Sequence, residues 1–553
     1  ASNNTAVGDM SLNANTTGTQ NTAVGAYALD SSTTGDYLTA IGTNALGTNT
    51  TGDYNTALGT QALYLNTTGS SNVAVGYDAL GDNTTASNNT AIGHGALLSN
   101  TTGQQNVAVG ANALDANTTT GYMTAVGYQA LGGNTTGEYS VAVGRQALLS
   151  NTTGTRHVAI GAEALEQNTT GNYCVAVGFK ALESNNGSSS CAVGYQALLD
   201  QTTGASNDAF GFEAMRENTT GGDNNAFGYQ ALYSNTTGAS NTAIGHKALT
   251  TNTTADYNTA VGRYCLGLNT TGARNTAVGA FSQDATGNGS YNTSIGYNSA
   301  GNNQSSYNTA LGYYALGGEG GATTSQYNTA VGNSALLNHT GGEGCVAVGS
   351  FALDANTTAS NNTAVGMHAL GATSTGHSNT AIGRSALSDV TTGGQNTACG
   401  MYAGDNITTG ANVSCFGYQA EPSTATTNNE IILGNANVGA VRCGPGGVTT
   451  LSDGRDKTDV VDIPDGLDFV DSLRPVKFKW QTREGVENKD GTIRAGFIAQ
   501  DLQAAQEGKE YLDLVYSENP EKLEVTHIKL LPVMVQAIKD LSAKVKELES
   551  KLN

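Results

Sequence analysis

Asn55-Thr56-Ala57-Leu58-Gly59-Thr60-Gln61-Ala62-Leu63-Tyr64-Leu65-Asn66-Thr67-Thr68-Gly69-Ser70-Ser71 is one of many near-copies of itself. The next begins at Asn72, seventeen residues on. The glycine of this beat falls at Gly8, Gly25, Gly42 and Gly59, and so on to Gly178. It resumes from Gly194 to Gly296 and again from Gly332 to Gly434, giving about 26 copies. Self-similarity at a fixed short period means a stacked array rather than a globule around one pocket.

Within one copy, Asn-Thr-Ala-Val-Gly alternates and is rich in β-branched residues, which predicts a short strand. The residue before the glycine is Val, Ile, Leu or Phe, and the one before that is Ala almost throughout. A fixed Ala predicts tight backbone packing at that point. Ala62 and Leu63 follow the glycine by three and four residues, then Asn66-Thr67-Thr68-Gly69 predicts a turn whose glycine takes positive φ. If each copy is one coil, stacking at about 4.8 Å gives a rod on the order of 120 Å. The pre-glycine residue and the Leu need not face one core. The Leu column is therefore expected to seek a partner surface, which three chains around an axis would bury. The fold class expected is all-β, a trimeric parallel β-solenoid.

The beat slips three times. Gly178 to Gly194 and Gly296 to Gly312 are sixteen apart, and Gly312 to Gly332 is twenty, with Gly317-Gly318-Glu319-Gly320-Gly321 inside. These read as loop deletions and an insertion, or in the last case as a protruding ligand loop.

Composition divides the chain. Residues 1–451 hold 9 Lys+Arg and 25 Asp+Glu, and residues 452–553 hold 15 and 20. All six prolines lie at or after Pro422, and the one tryptophan is Trp480. The expected organisation is a shaft over 1–434, a linker or cap over 435–451, and a separate domain over 452–553. A net charge of −21 argues against a nucleic-acid partner, because phosphate contacts need Lys and Arg. No apolar run is long enough to insert in a membrane. The seven cysteines are scattered, most in place of Val, Thr or Ala, with no metal or disulfide spacing. His94, His246 and His368 lie far apart along the repeat, so no metal and no cofactor is expected. Carboxylates are sparse and none recur as a facing pair, so no turnover enzyme is expected. The chain opens inside a repeat at Ala1, which leads us to expect an attachment region upstream.

Tyrosine recurs five residues before the glycine, at Tyr37, Tyr54, Tyr139, Tyr173 and Tyr257 among others. These are candidate glycan contacts, since sugar rings stack on aromatic faces; stacking on each other for stability is the competing reading. The paired threonines are explained by turn chemistry and β propensity rather than by ice binding. The Asn-Thr-Thr triplets match the N-glycosylation pattern but read first as turns.

Repeats such as Asn21-Thr22-Ala23-Val24-Gly25 resemble those in the heads of trimeric autotransporter adhesins and in phage tail fibres. That resemblance implies a trimeric β-roll. From Ser452 the chain reads Ser-Asp-Gly-Arg-Asp-Lys, then Leu473-Arg474-Pro475-Val476-Lys477-Phe478 and Gly496-Phe497-Ile498-Ala499-Gln500. This ordered set resembles the intramolecular chaperone auto-processing domain that ends phage tailspikes, tail fibres and endosialidases. The resemblance implies a homotrimer that templates the shaft and then cuts itself between Leu451 and Ser452. Ser452 and Lys457 have the spacing of the family's Ser–Lys dyad, and Asp453 and Arg455 match residues that hold the loop. Chemically, a serine hydroxyl needs a base to become a nucleophile, and a lysine can serve. Asp456 departs from the family, where an apolar residue is common, and a carboxylate there works against the base.

The chain ends with Leu531, Met534, Ile538, Leu541, Val545, Leu548 and Leu552 spaced 3-4-3-4-3-4, a heptad seam on a helix expected over about 528–552. Its expected role is trimerisation. Together these readings predict a structural and adhesive fibre of the virion tail that binds a host-surface glycan or protein receptor. The alternatives are a bacterial extracellular adhesin or filament and, third, a depolymerase of host polysaccharide.

Overall fold

A computed structural model describes residues 1–285, 288–318, 324–438, 441, 452, 454–479, 492–517 and 523–552. The chain divides into two compact units, 1–344 and 345–553.

In the first unit each coil contributes one three-residue strand, from β1 (Thr5–Val7) to β20 (Thr329–Val331). Neighbouring strands are parallel and pair residue for residue, as in Thr56↔Val73, Ala57↔Ala74 and Leu58↔Val75. The expected parallel β-solenoid of seventeen-residue coils is therefore present. Register survives all three slips: Val175 pairs with Cys191, Thr293 with Thr309, and Thr309 with Thr329. Loops absorb the changes, although residues 319–323 of the insertion lie outside the described set. The second unit opens with six more such strands, β21 (Val346–Val348) to β26 (Ile431–Leu433).

Alternation puts Thr56 and Leu58 outside and Ala57 inside. Ala57, Ala62 and Leu63 are fully buried, and so are Asn55 and Asn66. This corrects the expectation for the apolar columns. The Leu column fills the lumen of its own coil, and the pre-glycine column stays outside, with Leu58 45 % exposed. The strand offers only Ala to the inside because Leu63 from the opposite wall occupies the space. A single chain thus closes its own core.

Two further features differ from expectation. Gly69 does not adopt positive φ; its site is crowded, and an added Cβ would lie 2.2 Å from the Ala86 carbonyl oxygen. Positive φ falls at Gly59 (+142°) and at the non-glycine residues Gln61 (62°), Leu63 (54°) and Ser71 (60°). A left-handed Leu costs roughly 1–2 kcal/mol. Burying its side chain returns roughly 1.5–3 kcal/mol, and its N–H donates to the Ala79 carbonyl at 3.0 Å.

The Asn of Asn-Thr-Thr is more than a turn residue. Asn66 Nδ2 donates to Asn49 Oδ1 at 2.8 Å and to the Gly69 carbonyl at 2.9 Å. Asn83 Nδ2 donates in turn to Asn66 Oδ1 at 2.8 Å. A second buried column runs through Asn55, whose Oδ1 accepts from the Asn72 N–H at 2.9 Å. Burial withdraws Asn66 from any glycosylating enzyme in the folded coil. The first Thr of each pair is structural too: Thr67 Oγ1 donates to the Thr84 carbonyl at 3.0 Å.

Of the seven cysteines, Cys174, Cys265, Cys345 and Cys415 are buried, Cys191 is half-buried and Cys399 is exposed; Cys443 lies outside the described residues. Burial pushes the Cys265 and Cys415 thiols up to about 12. His157 takes an Asn position; its Nδ1 accepts from the Cys174 N–H at 3.3 Å. Burial lowers its pKa from 6.5 to about 4.

Two outcomes follow for the buried columns. Asn83→Asp replaces a donor with an acceptor beside Asn66 Oδ1 and the Ala86 carbonyl, and should cost about 3 kcal/mol at pH 7. Burial raises the introduced carboxyl's folded pKa, so the deficit should shrink as pH falls and the acid regains a proton. Hydrogen exchange at the Asn83 coil across pH checks this. His157 is held neutral in the fold, so its contribution is complete above pH 6.5 and is lost as pH falls towards about 4, by about 3 kcal/mol. His157→Asn should remove that acid sensitivity, read by exchange of the Cys174 amide.

Candidate functional site

Beyond its strands the second unit carries a small α+β arrangement: α1 (Leu467–Ser472), β27 (Val476–Phe478), β28 (Arg494–Gly496), α2 (Ala499–Ala505), β29 (Val515–Tyr516), β30 (Glu524–Val525) and α3 (Leu530–Leu552). The strands pair as two antiparallel hairpins. Phe469, Leu502, Leu512, Leu514, Val515, Leu530 and Val533 form its core. Asp540 on α3 accepts the Leu467 N–H at 3.0 Å, satisfying an orphan donor at the start of α1. Lys509 lies 4.8 Å over the Phe469 ring and pairs with Asp465 at 2.8 Å. Lys509, with Tyr511 donating to the same group, holds the Asp465 carboxyl below the usual range.

Helix α3 has two apolar sides. Leu530, Val533 and Ala537 face the domain core. The heptad residues Leu531, Met534, Ile538, Leu541, Val545, Leu548 and Leu552 all point away from it, 45–86 % exposed. The helix expected over 528–552 begins as a 3₁₀ turn at His527–Lys529 and is α-helical from Leu530.

Ser452 and Lys457 come together across a 3₁₀ turn at Gly454–Asp456, with Lys457 Nζ donating to Ser452 Oγ at 2.5 Å. Both residues are exposed, as is Arg455 in the turn between them. Leu451 and Asp453 lie outside the described residues, and with them most of the expected linker. Residues 452–510 match the protein family described as chaperone of endosialidase. The matched segment starts at Ser452 and contains Lys457, α1, both strands of the first hairpin and α2. No curated protein and no solved structure matches the chain. A segment similar to chaperone-of-endosialidase domains therefore follows the strands of the β-solenoid in the chain. No helix among the described residues is long and apolar enough to cross a membrane.

On the shaft, the candidate tyrosines are exposed and in line. Tyr37 and Tyr54 stack with ring centroids 4.9 Å apart. Tyr139 and Tyr173 sandwich the Arg156 guanidinium at 5.5 and 5.4 Å, and Arg274 lies 5.3 Å over Tyr257. Stacking takes up ring faces along the column, since Tyr139 stacks on Tyr122 at 5.1 Å as well as on Arg156. A second ladder, one residue after the glycine, escaped the sequence reading: Phe179, Tyr195, Phe212, Tyr229 and His246 stack consecutively at 5.1–5.5 Å. Its signal was present as aromatics at seventeen- or sixteen-residue spacing. Of the scattered histidines, His94 stacks on Tyr77 and His368 on Phe351.

Coiling also gathers carboxylates that the sequence keeps apart. Glu163, Glu166 and Glu183 place one oxygen each within 4.8 Å of one another. Arg145 pairs with Glu163, and Lys180 with Glu163 and Glu183, so two bases already offset most of the cluster's charge. Burial, then the Glu183 charge, raises the Glu166 carboxyl.

Phe469 is the largest side chain of the small core. Phe469→Ala should cost about 3–5 kcal/mol and strip exchange protection from α1 and the start of α3, while the shaft coils keep theirs.

Proposed function

We propose that this chain is a structural and adhesive fibre, a phage tail fibre or tailspike shaft for host-surface attachment, assembled as a homotrimer by its C-terminal chaperone. The observation that carries the reading is the coincidence at Ser452. The chaperone match begins there, the repeat has ended upstream, and a lysine amine sits 2.5 Å from the hydroxyl.

The chemistry is self-cleavage in cis. Once its amine is neutral, Lys457 takes the Ser452 Oγ proton as Oγ attacks the Leu451 carbonyl carbon. The C–N bond breaks, the Ser452 amine leaves with the proton, and an ester joins Leu451 to Oγ. Water then hydrolyses the ester, leaving a Leu451 carboxylate and a free Ser452 hydroxyl. Each chain cuts once, so no turnover results. The resemblance to the family assigns Arg455 and Asp453 to holding the loop of the dyad; Asp453 lies outside the described residues.

The exposed heptad side of α3 supports the trimer. Half-exposed leucines at 3-4 spacing are the seam of a coiled coil, and burying them calls for copies of the same helix. The exposed tyrosines support an adhesive shaft, with the row of rings meeting a host glycan or protein receptor.

Intact mass separates the outcomes. The wild type should release a fragment of 102 residues (452 through 553). Ser452→Ala and Lys457→Arg should both remain whole, the second because guanidinium does not give up its proton. Whole wild-type protein under the same conditions would refute the cleavage. Ile538→Asp with Leu541→Asp should leave the domain folded, both sites being exposed, yet turn a trimer into a monomer by sedimentation.

A further inference from the structure

The outward strand face of the shaft is made of two columns, one three residues and one a single residue before the repeat glycine. Over β1–β20 the first column is mostly Thr or Val, and the second is Val, Ile, Leu or Phe throughout. These are forty positions, and Asp208 is the one charged residue among them. The chain as a whole carries a net charge of −21. Copies of so acidic a chain repel one another unless the mating surface is kept free of charge. Here a flat face is kept free of it coil after coil.

The apolar column of that face is not used by the molecule itself. Ile41, Leu58, Ile92, Ile160, Phe227 and Leu311 are each more than a third exposed, whereas the Ala between the two columns is fully buried. Phe210 and Phe227 stack on one another at 4.8 Å but cover nothing else of the column.

Size is the second argument. Nineteen steps of about 4.8 Å make the first unit's sheet roughly 90 Å long, and three residues at about 3.3 Å make it roughly 10 Å wide. The face is then about 900 Å² per copy, against the roughly 800 Å² per partner of a stable interface. A partner must match an uncharged surface at the coil repeat over that whole length. Another copy of the same shaft, running parallel, does so by identity. The exposed seam of α3 independently calls for further copies of this chain.

We infer that the Thr/Val strand face is the surface along which parallel copies of this chain associate, with the pre-glycine column at the contact. The inference rests on the homotrimer reading above and adds to it the face that is buried. The Leu column, buried inside each coil, is not part of the contact.

Cys399 provides a native reporter: it occupies the pre-glycine column between Ile382 and Phe416 and is exposed. In the full-length protein, mild oxidation should join Cys399 to Cys399 of a second copy, seen as a linked peptide pair by mass. With Cys399→Ser and Cys191→Ser in place, Leu58→Cys should crosslink between copies at least tenfold faster than Thr68→Cys. Both sites are exposed and belong to the same coil. Sedimentation is run on each sample. A trimer in which Thr68→Cys links and Leu58→Cys does not would overturn the assigned face and leave the homotrimer standing. A monomer would overturn both.

Discussion

A buried asparagine amide brings donors and acceptors into a place without water, and each must find a partner or cost free energy. In this shaft the partner is the equivalent asparagine one coil away. Asn66 stands between Asn49 and Asn83, and Asn100 continues the line. That chain of amides fixes the period, because a coil of different length would carry its amide past its neighbour. It also explains where the repeat tolerates change. At the sixteen-residue slip Asn185 keeps its place, and Gln201 reaches Asn185 Oδ1 at 2.7 Å in the role of the next asparagine. Ser190 in the other column accepts the Asn207 N–H. Substitutes that still offer hydrogen bonds are accommodated, and loop length is adjusted around them.

The left-handed residues are the second constraint. Three columns lie at positive φ, and in none of them does Thr, Val or Ile occur, although these residues are abundant elsewhere in the repeat. β-branched side chains are the ones least tolerated there. Tyr, Gln, Ser and Asn predominate in the column five residues before the glycine, beside Arg156, Asp223 and Arg274, which is how a conformational requirement comes to display a row of tyrosines. Where the Leu column breaks at Gly404, also at positive φ, a Cβ would meet Leu387 Cδ2 at 2.9 Å.

Much of this was legible. The period, the strand at Thr-Ala-Val, the tight packing at Ala, the in-register absorption of the slips and the C-terminal helix could all be read from spacing alone. Inside and outside could not. A three-residue strand has too little alternation to say which face is buried, and Val and Leu are equally apolar, so the two columns exchanged roles. The decisive clue lay in what each column excludes rather than in what it contains. The Ser452–Lys457 pair stood out through the family resemblance rather than through its spacing of five residues alone, and the 3₁₀ turn at Gly454–Asp456 brings the two side chains into contact.

Because each coil completes its own core, the shaft and α3 stand in different relations to water. The shaft's outward face mixes hydroxyls with half-exposed valines, each coil adding only a small increment to any association. The heptad side of α3 leaves seven large apolar residues exposed on one helix, a burden that only a matching helix removes. On the homotrimer proposal, association therefore begins more favourably at α3. Once parallel chains are joined there, every further contact is intramolecular and proceeds at high effective concentration. Weak increments repeated over many coils then add up, and register is inherited rather than searched. A repeat with identical coils needs such an origin, because its own surface specifies spacing along the axis but not which coil of one chain should meet which coil of the next.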